Sequence, residues 1–101
     1  MMRRLTTPEH KFTLQIDPSV IGKIRITYAQ NNAIVLTKEG NDVSIDGNIA
    51  KVKLTQEETK KFAAGKEAEI QVRVLTLGND ALASDIIKVD VKRVLDDEVM
   101  A

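Results

Sequence analysis

Apolar and polar residues alternate in this chain, and the alternation resumes after each cluster of glycine, asparagine and aspartate; no other feature narrows the accessible folds as much. From His10 to Asp17, Phe12, Leu14 and Ile16 fall on one side and Lys11, Thr13 and Gln15 on the other, the two-residue period of a half-buried strand. Pro18 closes that run. Ile24, Ile26 and Tyr28 then alternate with Lys23, Arg25 and Thr27, Gln30-Asn31-Asn32 offers a turn, and Ala33 to Thr37 is the expected hairpin partner. Lys38-Glu39-Gly40-Asn41 is a second turn signal, Val43 and Ile45 mark a short strand, and Asp46-Gly47-Asn48 carries the Asp-Gly hairpin cue. Ala50, Val52 and Leu54 follow in a fifth strand.

The period breaks at Thr55. Thr55 and Glu58 have capping-box spacing, in which hydroxyl and carboxylate each satisfy an amide orphaned at a helix start. The spacing predicts one or two helical turns over Gln56 to Ala64, ended by Gly65, with Phe62 as the one large apolar residue available to plug the core. Two longer strands complete the pattern, through Ala68 to Val74 and Ile87 to Val91, with Gly78-Asn79-Asp80 turning between them. Seven strands with one short helix between the fifth and sixth predict an all-β, immunoglobulin-like β-sandwich. A small barrel is the alternative.

At 101 residues, one core is the expectation: residues 10–95 as a single sandwich domain, 1–9 as a flexible N-terminal arm and 96–101 as an acidic C-terminal tail. Within the sandwich, Phe12 to Ile16 and Ile86 to Val94 are the expected sheet edges. Fifteen basic residues balance fifteen acidic ones, so no net field steers the chain toward nucleic acid or anionic lipid. Phe12, Tyr28 and Phe62 are its only aromatics, too few to build a stacking platform for bases or sugars. The absence of cysteine removes disulfides and thiolate chemistry and fits cytoplasmic folding. No apolar core follows Arg3 and Arg4, so neither a signal peptide nor a membrane span is expected.

Catalytic and metal-binding constellations are expected to be absent. His10 is the only histidine, which rules out a histidine cluster for metal and leaves any Ser–His–Asp set to recruit it from the first strand. Ser19, Ser44 and Ser84 are the available serines, none in a Gly-x-Ser-x-Gly turn. Asp42, Asp46 and Asn48 bracket a strand and lack the twelve-residue calcium loop. Glu57 with Glu58 and Asp96 with Asp97 could do acid–base work only if burial split their pKa values; Glu58 has a capping role and the others lie in polar stretches. Gly22, Gly40, Gly47, Gly65 and Gly78 stand singly at turns, so no phosphate-cradling loop forms. No catalytic, cofactor-binding or metal residue is assigned, and no cofactor.

The strings Leu54-Thr55-Gln56-Glu57-Glu58-Thr59-Lys60-Lys61-Phe62, Glu69-Ile70-Gln71-Val72-Arg73-Val74, Ala83-Ser84-Asp85-Ile86-Ile87 and Val91-Lys92-Arg93-Val94-Leu95, with Ile24-Arg25-Ile26-Thr27-Tyr28-Ala29-Gln30 and Val35-Leu36-Thr37-Lys38, resemble small structural proteins of tailed phages and prophages of Gram-positive and gut bacteria. The likeness spans about His10 to Leu95 and is nearest to the N-terminal immunoglobulin-like domains of upper baseplate proteins. It implies a noncatalytic virion module, made in the bacterial cytoplasm, that docks onto tail or baseplate proteins or onto itself, with no nucleic-acid, membrane or small-molecule partner. Such proteins continue into a linker and a receptor-facing region that this sequence does not contain, so the implied role is docking, and no functional residue carries over individually. An immunoglobulin-like adhesion or carbohydrate-binding module is the alternative reading.

Overall fold

The alternating segments become strands in the computed structural model, which describes residues 2–96 and 98–100. In chain order these are β1 (Met2–Arg3), β2 (Glu9–Thr13), β3 (Ile21–Gln30), β4 (Ala33–Glu39), β5 (Val43–Asp46), β6 (Ile49–Lys53), the helix α1 (Gln56–Lys60), β7 (Glu67–Thr76), β8 (Ala81–Ala83) and β9 (Ile87–Lys92). Strands β1-β9-β7-β3-β4, with β8 also paired to β7, make a six-stranded sheet, and β2-β6-β5 make a three-stranded one. The order β9-β7-β3-β4 facing β2-β6-β5 is the G-F-C-C′ over B-E-D arrangement of an immunoglobulin-like sandwich. All seven anticipated strands are present, and α1 lies between the fifth and sixth of them.

The two additional strands are short. β8 and β9 both run antiparallel to β7, opposite Arg73–Leu75 and Glu67–Ile70 respectively, so they are two halves of one interrupted strand. Ser84 bridges the interruption: its N–H donates to the Val72 carbonyl at 2.8 Å and its Oγ accepts the Val72 N–H at 3.0 Å. β1 lies parallel to β9, with Met2 opposite Val91 and Arg3 opposite Lys92.

That pairing corrects the reading of residues 1–9 as a flexible arm. Met2 and Leu5 are buried, the Arg4 guanidinium donates to the Lys60 carbonyl at 3.1 Å, and the Thr6 amide donates to Thr59 Oγ1 at 3.0 Å. Pattern failed here because only two residues pair before the backbone turns at Leu5, whose φ is +58°, too short a stretch to display a period. Met1, like Asp97 and Ala101 of the expected tail, lies outside the described residues.

The core is aliphatic with two aromatic rings at its centre. Ile24, Ile26 and Tyr28 of β3 and Ala68, Ile70, Val72 and Val74 of β7 point inward, as alternate residues of paired strands must. Across from them stand Phe12, Val43, Ala50, Val52 and Leu54 of the small sheet and the segment just beyond it. Phe62 is 1% exposed and meets Tyr28 edge-to-face with ring centroids 6.0 Å apart, so it is the plug its isolation suggested. The β3–β4 hairpin turns through Asn31 and Asn32 at φ +55° and +62°, the left-handed pair of a type I′ turn, which asparagine tolerates.

The capping box is formed as its spacing predicts. The Glu58 N–H donates to Thr55 Oγ1 at 3.2 Å and the Thr55 N–H donates to Glu58 Oε1 at 2.8 Å. The helix stops at Lys60, earlier than the anticipated Ala64. Phe62 must leave the helical path to enter the core, and the buried Gln30 side chain replaces the lost helical bonds. Its Nε2 donates to the Ala63 carbonyl at 2.8 Å while its Oε1 accepts the Ala63 N–H at 2.7 Å.

Candidate protein-docking edge

The residues with catalytic potential are engaged in contacts within the fold. His10 belongs to the inward parity of β2, and its Nδ1 lies 2.6 Å from the Tyr28 hydroxyl. It is half-buried, not the exposed edge residue that its position at the strand start suggests. Burial pushes the imidazole pKa below its ordinary value and, with a smaller effect of the Glu58 charge, pushes the Tyr28 phenol well up. Ser84 bonds to Val72 and Asp85, and Asp17 caps the Ser19 amide, at 3.0 Å, which lowers the Asp17 pKa.

The acidic candidates are dispersed. Asp46 pairs with Lys51 at 3.4 Å on the hairpin, the Asn48 carbonyl accepts the Leu14 N–H at 2.7 Å, and Asp96 accepts the Glu98 amide at 3.0 Å. Asp97 lies outside the described residues. Among the described residues no three of His, Cys, Asp and Glu gather where they could hold a metal ion. Gly22 sits at a register shift of β3, where an added Cβ would come 3.1 Å from the Leu75 carbonyl oxygen. Close strand approach therefore explains that glycine.

One polar network was not visible in the sequence. Lys38 Nζ lies 2.7 Å from Glu58 Oε2, with side chains only 10% and 18% exposed, so the inner face of β4 is strapped to α1. Burial alone would raise the Glu58 pKa, but the Lys38 ammonium and the Thr55 amide overcome it and hold the carboxyl below its usual value. Every member has a structural partner. The Phe12, Tyr28 and Phe62 rings are all buried, so none is presented for stacking on a sugar.

What the fold does present is an unpaired edge. Among the described residues β2 pairs with β6 on one side only, whereas the constant-type fold carries a fourth strand beside this position. The Leu14 N–H donates to the Asn48 carbonyl and the Leu54 N–H donates to the Pro8 carbonyl, so even-numbered residues of this stretch spend their backbone groups on β6. By the alternation of antiparallel ladders, Glu9, Lys11 and Thr13 aim theirs outward. Alongside runs an apolar groove of about 300 Å³, walled by Phe12, Leu14 and Ile16 on one side and Val74, Leu82 and Ile87 on the other. Leu82, Ile86 and Ile87 are 43%, 55% and 42% exposed.

The anticipated edges are therefore half right. β2 is an edge, but the end of the last strand is capped by β1 over Val91 and Lys92. The other border of the large sheet is β4, which the sequence reading placed only as a hairpin partner.

Neither family models nor curated protein sequences give a match to this chain. Among solved structures, the V domain of amphioxus IgVJ-C2 is similar at 12% identity and a TM-score of 0.40, over 93% of this chain and 98% of that one.

Proposed function

We propose that this chain is a noncatalytic docking module that joins protein partners by strand addition along β2, and that it serves as a tail- or baseplate-associated part of a phage or prophage particle. The observation that carries the docking reading is the row of outward backbone groups on Glu9, Lys11 and Thr13 beside the Phe12–Leu82 groove. Unpaired strand groups offer main-chain hydrogen bonds, and a neighbouring apolar trough takes alternate side chains. The virion setting is supported by the resemblance over residues 10–95, and the absence of cysteine is compatible with assembly inside the cell. Partners on this reading are tail or baseplate proteins or further copies of the chain.

Lys11→Pro tests it. Proline at this position removes one outward N–H and leaves the bonds of His10, Phe12 and Leu14 to β6 in place, a setting in which an edge strand accommodates it. Quantitative mass spectrometry of purified particles is expected to find the wild-type chain at stoichiometric copy number and the variant reduced about tenfold or more, the loss of at least one well-made contact. Absence of the wild-type chain from intact particles, or undiminished incorporation of Lys11→Pro, would contradict the proposal.

A further inference from the structure

The geometry points to a second copy of this chain as the occupant of the β2 edge, paired antiparallel about a two-fold axis through residue 10; this rests on the docking reading and names its partner. Outward backbone groups sit on odd-numbered residues, so β2 can meet its own copy only in registers that face odd residues with odd. Charge then selects among them. Glu9 and Lys11 lie two apart on the solvent-facing side, 3.8 Å from each other, with side chains 49% and 59% exposed. An axis through residue 10 sets Glu9 against the partner's Lys11 and Lys11 against the partner's Glu9.

Neighbouring registers lose this match. An axis through residue 9 opposes the two Glu9 carboxylates, and one through residue 11 opposes the two Lys11 ammoniums. Like charges directly across a ladder are unfavourable. An axis through residue 12 sets Lys11 against Thr13 and Glu9 against Gln15, with no charge pair. The strand is therefore self-complementary in one register, and its charges also reject strangers, as edge strands in soluble proteins commonly do. A two-fold contact of this kind closes on itself as a dimer and does not grow into a fibre. It joins two three-stranded sheets into one of six.

Sedimentation equilibrium of the full chain at low ionic strength, where surface charges act over the longest range, tests this directly. The wild type is expected to dimerise. Glu9→Lys and Lys11→Glu should each weaken the dimer about tenfold, since each variant turns two cross-strand attractions into repulsions. An equimolar mixture of the two should recover wild-type strength, because two positive residues then face two negative ones, and this recovery also shows that both variants are folded. A wild type that stays monomeric at all concentrations, a dimer indifferent to either reversal, or a mixture that fails to recover would overturn the inference. Monomeric wild type whose incorporation into particles still depends on Lys11 would sink self-pairing and leave the docking reading standing. A dimer behaving as described, from a chain absent from particles, would sink the virion setting and leave strand addition at β2 standing.

Discussion

His10 shares the parity of Phe12, Leu14 and Ile16, and that parity, not its residue type, decides its surroundings. Its ring lies edge-on to Phe12 at 6.4 Å and tilted against Tyr28 at 5.7 Å, and burial depresses its pKa below 6.5. A group with a depressed folded-state pKa contributes stability that is complete above its unfolded value and is lost as pH falls from that value toward the folded one. Because His10 is the only histidine, little else titrates between about pH 7 and 5.5. The wild type is expected to lose stability over that window, by at most about 1.4 kcal/mol per pH unit, the limit for one proton. His10→Gln should flatten the profile in thermal melts; parallel profiles would show that the ring is not held neutral. Gln30 makes the opposite point about legibility. Its amide looks like turn chemistry beside Asn31 and Asn32, yet it ends β3 and clamps Ala63, 33 residues away, a distance over which local composition carries no information.

At the scale of elements, short-range rules were legible and long-range ones were not. Turn residues and capping spacing act within four or five positions, which is why the Asn31-Asn32 hairpin and the Thr55–Glu58 box stand where the sequence puts them. The helix length depended on what Phe62 had to reach. Burial of Phe62 at the exit of α1 ties that element to Tyr28, while Thr59 and Lys38 hold it from the sides. Phe62→Ala is expected to cost about 3–5 kcal/mol, the range for a fully buried aromatic replaced by a cavity. A denaturant melt showing less than about 1 kcal/mol would mean that the loop after α1 collapses to fill the space. The parallel pairing of β1 with β9 joins residues about ninety positions apart through two residue pairs, and no periodicity announces so small a contact.

For the whole molecule, strand count and helix position pointed to a sandwich, but the order of strands in each sheet depends on pairings between distant segments. That order is what makes the two sheets end differently. The large sheet reaches its last strand and closes over part of it with β1, while the small sheet ends on β2 with nothing beyond it among the described residues. An edge strand, an apolar groove and a self-matching charge pair thus fall on one side of the molecule, and the docking account rests on their coincidence.

Amide hydrogen exchange resolved to single residues along β2 tests the central claim most directly. In dilute, dissociated protein the Lys11 and Thr13 amides should exchange fast and the His10 and Phe12 amides slowly, since only the latter are bonded to β6; in the assembled state all four should be protected. Protection of Lys11 and Thr13 already in the dissociated chain, or their continued rapid exchange in the assembly, would contradict strand addition at this edge.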